Sequence, residues 1–135
     1  MLNPGTYALA DRAITTAINE AQSPIVDLEG MTAVTIQARL AYGSGGTTAK
    51  VYVATSMDNG VTWVDVACLA FGAAGGVKVV NVSGMTPKGT PVVPTDGALP
   101  DDTTLDGVLG DRLRARIVTT GTYANSIISV KAVVR

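Results

Sequence analysis

The side chains able to do chemistry in this chain are carboxylates, arginines and a single thiol. Histidine is absent, which removes the usual general base and the usual activator of a serine or cysteine nucleophile. Asp58 and Asp65 flank one turn. A carboxylate pair can suffice for acid/base work if the fold brings its members together, as in glycoside hydrolysis. Asp101, Asp102, Asp106 and Asp111 make a second acidic cluster. Its spacing departs from the calcium loop D-x-[DN]-x-[DN]-G with a terminal glutamate, so it reads as a solvated or salt-bridged loop face and no metal site is assigned. Cys68 has no partner for an intramolecular disulfide and sits in the apolar run from Val66 to Phe71, the setting of a buried structural thiol. The small-residue loops 43–46 and 72–76 match neither phosphate-binding glycine pattern, and no cofactor is expected. With no histidine and no recognisable supporting groups, an enzyme is not expected.

Arg112, Arg114 and Arg116 alternate with Leu113, Ala115 and Ile117. On a strand the arginines share one face and repel one another unless carboxylates answer them. Neighbouring strands, the acidic loop just upstream, or a second protein can supply those carboxylates. The formal charge is −1, and the aromatics are not interleaved with basic residues, so neither nucleic acid nor an anionic membrane is an expected partner.

These groups must be held by strands. In a chain of 135 residues, 47% hydrophobic with only six aromatics, the core is built from Val, Ile, Leu and Ala. Dispersed glycines and prolines punctuate short strands, which points to one all-β domain. From Ala33 to Tyr42 the residues alternate apolar and polar, as in a sheet with one wet side. Further strands are read at 12–19, 25–28, 77–82, 112–118 and 126–135. Residues 1–11 read as an N-terminal arm broken by Pro4-Gly5, with Tyr7 and Leu9 able to dock on a partner. Residues 12–135 form the domain. Within it, 86–107 is a long proline-rich loop whose apolar anchors are Val92, Val93 and Leu99. The expected architecture is an antiparallel β-sandwich of about seven to nine strands with Greek-key or jelly-roll-like connections. No run approaches the length of a membrane span.

The stretch Ser56-Met57-Asp58-Asn59-Gly60-Val61-Thr62-Trp63 joins two β-rich runs. Asn59-Gly60 tolerates the positive φ of a two-residue type I′ turn, Asp58 can accept downstream amides, and Trp63 brings the largest apolar surface in the chain. The pattern S-x-D-x-G-x-T-W resembles the Asp-box hairpin of sialidase-like propellers and other β proteins, where the box is a structural device. Asp58, Asn59, Gly60 and Trp63 are therefore read as turn residues. A carbohydrate-binding β domain is the alternative that this resemblance raises.

Taken together, the run from Val51 to Cys68, the loop Leu99-Pro100-Asp101-Asp102-Thr103, the stretch Asp106 to Arg114 and Gly121-Thr122-Tyr123 resemble small virion proteins of tailed bacteriophages, in the head and neck modules. The resemblance implies a non-enzymatic particle component, made in the bacterial host cytoplasm. It implies a capsid decoration or minor capsid protein that binds the major capsid protein or other virion proteins, or else a head–tail connector or tail component. A homo-oligomer is expected. The candidate subunit contacts are Tyr7, Leu9, Val92, Val93, Leu99, Arg112, Arg114 and Arg116.

Overall fold

Strand Ala33–Ala41 alternates buried and exposed residues along its length, with Val34, Ile36, Ala38 and Leu40 at 2% exposure or less. That alternation fixes one face of a sheet against a core. The computed structural model describes residues 4–135, and every regular element in that span is a strand. In chain order these are β1 (Gly5–Ile14), β2 (Ile18–Ala21), β3 (Ala33–Ala41), β4 (Ser44–Gly45), β5 (Thr48–Ser56), β6 (Val64–Phe71), β7 (Gly76–Ser83), β8 (Thr103–Thr104), β9 (Arg112–Thr120), β10 (Tyr123–Ala124) and β11 (Ser126–Val134).

The strands form two antiparallel sheets, ordered β1-β11-β3-β7 and β2-β9-β5-β6-β8, with β10 and β4 paired beside them. Only β5 and β6 are both consecutive and adjacent within these sheets. Apart from the link from β8 to β9, which stays within the second sheet, the remaining connections carry the chain from one sheet to the other, some of them by way of β4 or β10, the crossing pattern of Greek-key and jelly-roll sandwiches. One core cluster draws Ile36, Leu40, Val130 and Val134 from the first sheet and Val51, Leu69, Leu113 and Ile117 from the second. Truncating one of these fully buried side chains to alanine costs about 2–5 kcal/mol.

Expectations for the first 28 residues change, and the strand expected over 12–19 is divided between the end of β1 and the start of β2. Residues 5–11 do not form an arm, because β1 pairs with β11 from Gly5↔Val134 onward. Residues 1–3 lie outside the described span. Leu9 is 3% exposed and belongs to the core, so it is removed from the candidate subunit contacts, while Tyr7 packs against that core half-buried. The apolar run 25–28 forms only an isolated bridge, Ile25↔Leu113, before Leu28 is buried.

Both faces of β5 and β6 are buried for most of their length, so their outer face must be covered by something other than the second sheet. The proline-rich loop covers it. Asp65 accepts from its Thr95 hydroxyl and its Gly97 and Ala98 amides, and Asp96, Asp101 and Asp102 pair with side chains of β9, β5 and β7.

Candidate functional site

The site is built on the outer face of the second sheet, from the β5–β6 turn, the arginine row of β9 and the loop laid across them. A β-bulge sets it up. Val53 pairs with Ala67 and Ala54 with Asp65, leaving Val66 as the extra residue. Val66 and Ala67 therefore both enter the core, and Asp65 is turned to the outer face instead of following Ala67 and Leu69 inward. There Asp65, 1% exposed, accepts from Gly97 N at 2.9 Å, Ala98 N at 2.9 Å and the Thr95 hydroxyl at 2.9 Å, while its own amide donates to Thr95 O at 2.8 Å. A buried carboxylate needs such donors. Its lone polar position inside an apolar strand was the signal of a clasp, one that acid/base reasoning from the sequence passed over.

Ala54 lies between Asp65 on one side and Arg114 on the other. Its small side chain leaves room for residues 95–98 to sit above the sheet. Asp96 from that segment pairs with both Arg114 and Arg116, reaching Arg116 Nη2 at 3.1 Å, and Arg116 also donates to Asn19 Oδ1 at 2.9 Å. The arginine row is thus answered largely within the chain. Arg112 is the exception in degree, with Asn59 Oδ1 at 3.4 Å and Asp111 at 4.0 Å, and its Nε makes no hydrogen bond.

The turn is longer than a two-residue hairpin. Strand β6 begins only at Val64, so 57–63 forms the connection. Asn59 and Gly60 do have positive φ, 60° and 83°. The Ser56 hydroxyl, buried at the strand end, donates to Asp58 Oδ1 at 3.0 Å and accepts from Gly60 N at 2.9 Å, and Asp58 Oδ1 accepts from Thr62 N at 2.8 Å. The Thr62 bonds, followed by that to Ser56, hold the Asp58 carboxyl below its usual range. Trp63 does not enter the core. It is half-buried, and the Arg114 guanidinium lies 4.2 Å from its ring centroid, so Asp96, Arg114 and Trp63 stack in sequence.

The acidic cluster is dispersed. Asp101 pairs with Lys50 at 2.8 Å and so raises its pKa. Asp102 accepts from Ala70 N at 3.0 Å and pairs with Lys78 at 2.9 Å, and these bonds lower its pKa. Asp106 accepts from Thr86 Oγ1 and Ser83 N, both at 2.6 Å. Among the described residues no group of three or more His, Cys, Asp or Glu side chains is placed to hold a metal ion. Asp58 and Asp65 are each committed to their own backbone donors. Burial pushes the Cys68 thiol up, with the Asp101 charge adding to it, which keeps it protonated and a poor nucleophile.

Large apolar side chains also face outward at this tip. Met57, Val61 and Val93 are 59%, 83% and 81% exposed; Met57 lines a depression of about 210 Å³ with Asp58, Thr62, Val64 and Pro94, the last of these adjoining Val93 in sequence and Thr62 adjoining Val61. Val92 and Leu99, expected as contacts, are half-buried. Met57 and Val61 were legible as turn residues but not as a surface, because only the fold places Val93 and Pro94 in the same part of the molecule. No family model, curated protein or solved structure matches the chain.

Proposed function

We propose that this chain is a non-enzymatic structural protein of a bacteriophage virion, a capsid decoration or minor capsid protein that docks on the major capsid protein through the β5–β6 tip. The observation that carries the docking surface is the tip itself: three large apolar side chains held out by a turn and a loop whose carboxylates are already bonded within the chain. Exposed apolar patches of this kind suit a protein partner. The resemblance of the sequence to head and neck proteins of tailed phages supplies the particle. Each copy would add a modest free energy, multiplied over a repetitive lattice.

The arrangement favours binding over catalysis, because the carboxylates at this face brace backbone and arginines. It also weighs against the carbohydrate reading. Sugar stacking uses an open aromatic platform, whereas Arg114 lies over Trp63 and, among the described residues, no aromatic is one of the exposed large apolar side chains. The test is co-sedimentation with coat-protein shells lacking the chain. Wild type is expected to pellet with the shells and Val61→Asp with Val93→Asp to stay in solution while keeping the native circular dichroism. Equal pelleting of the double variant would overturn the assignment of the tip.

A further inference from the structure

Strand β7 is an edge of the first sheet, and the register shows which of its backbone groups are open. Gly84 N donates to Thr32 O at 2.7 Å, and these residues stand opposite one another on continuation of the β3–β7 register. A directly opposed pair that bonds in this way alternates with pairs that do not. The backbone groups of Lys78, Val80 and Val82 therefore point at β3, and those of Val77, Val79, Asn81 and Ser83 point away from it. Ser83 is closed within the chain, its amide donating to Asp106 Oδ1 at 2.6 Å and its carbonyl accepting from Gly107 N at 2.7 Å. Among the described residues no hydrogen bond closes the outward groups of Val77, Val79 and Asn81.

The other three edges of the two main sheets carry protection of the kind natural sheets use. Strand β1 has a register shift between Ala8 and Ala10, β2 has 4 residues and β8 has 2. Strand β7 has none of these: its register with β3 is unbroken over 8 residues without proline. Its single charge, Lys78, donates to Ala70 O at 2.5 Å and pairs with Asp102, which takes it away from the edge. Val77 and Val79 are 53% and 57% exposed.

We propose that β7 pairs antiparallel with β7 of a second copy of this chain, about a twofold axis through Val79. The open groups are symmetric about that residue, so a second copy presents an identical set that meets all of them in register. Val77 then faces Asn81 of the second copy, Val79 faces its own equivalent, and each of these pairs can exchange both backbone bonds. No like charges meet, and Ser83 and the start of the strand at Gly76 bound the pairing at its two ends. The contact uses none of the tip residues, so it stands or falls separately from docking on a coat protein.

The test is the mass of the purified chain by sedimentation across a dilution series, together with amide exchange. The expected result is a species of twice 13.8 kDa at high concentration, with exchange at Val77, Val79 and Asn81 slowing as that species forms. Val79→Lys, which sets two ammonium groups against each other on the axis, is expected to give a folded monomer. A monomer at every concentration, or a dimer that survives a folded Val79→Lys variant, overturns the proposal. If Val79→Lys fails to fold, the wild-type exchange pattern decides: concentration-independent exchange at those three amides overturns the pairing, and slowing at them supports it.

Discussion

Asp65 receives the Gly97 amide at 2.9 Å on both of its carboxylate oxygens. That contact ties the proline-rich loop to β6 and buries the outer face of β5 and β6. It also explains why an aspartate occupies a strand position that is 1% exposed. Asp65→Ala is expected to lower stability by on the order of 3 kcal/mol, since the part-buried donors on Thr95, Gly97 and Ala98 lose a charged acceptor together. A urea unfolding midpoint reads this directly, and a midpoint unchanged from wild type would mean the loop is not fastened there.

The Asp96, Arg114, Trp63 stack can be read through the only tryptophan of the chain. Arg114→Ala uncovers the ring, so its fluorescence emission is expected to shift to the red and its quenching by acrylamide to rise, with a stability loss of about 1 kcal/mol. Asp96→Asn should weaken the pairing with both arginines and move the emission the same way by less. Emission insensitive to both changes would contradict the stack.

Two glycines should respond differently to alanine. Gly60 has a φ of 83°, but a Cβ there meets Trp63 Cζ2 at an ordinary 3.5 Å, so Gly60→Ala is expected to cost about 1–2 kcal/mol of backbone strain and to fold. At Gly110 a Cβ would stand 2.0 Å from Ser56 O. That carbonyl is fixed by Asp111 N at 3.0 Å, and Gly110→Ala is expected to cost about 3 kcal/mol, the upper range for overpacking. Thermal unfolding of the pair checks the order, and a larger loss at Gly60 would show that the turn is the less tolerant of the two.

Acid should loosen the loop. Asp58, Asp102 and Asp106 are all held below their ordinary value of 3.8, chiefly by the Thr62 amide, the Ala70 amide and the Thr86 hydroxyl respectively. The folded protein thus gives up these protons more readily than the unfolded chain. Their contribution is present above pH 3.8 and is lost as pH falls through the lowered folded-state values. Melting temperature is expected to drop in that acid window, with a shallower drop in Asp106→Asn. An acid limb of unchanged steepness in that variant would remove Asp106 from the account.

The parts of the fold legible in the sequence were those with one wet face. Strand β3 alternates visibly because its Thr35, Gln37 and Arg39 look outward, and β9 and β11 alternate for the same reason. Strand β6 hides its alternation twice, through the bulge at Val66 and through the loop on its far side. Strand β1 was obscured by Pro4-Gly5, although β11 supplies it with an unbroken partner from Gly5 to Ala8. Trp63 was legible as a turn residue with the largest apolar surface in the chain, but its placement beneath Arg114 depends on where Asp96 holds that arginine, a contact across 18 residues that no local pattern records.

The proposed function is that of a particle component that docks through its apolar tip. Imaging particles of a phage whose genome carries this sequence, at a resolution that places strands, tests this most directly. The account predicts ordered density for the sandwich repeated over the shell, with Met57, Val61 and Val93 against coat subunits. Virions that lack the chain, or that carry it with the tip facing solvent, would contradict it.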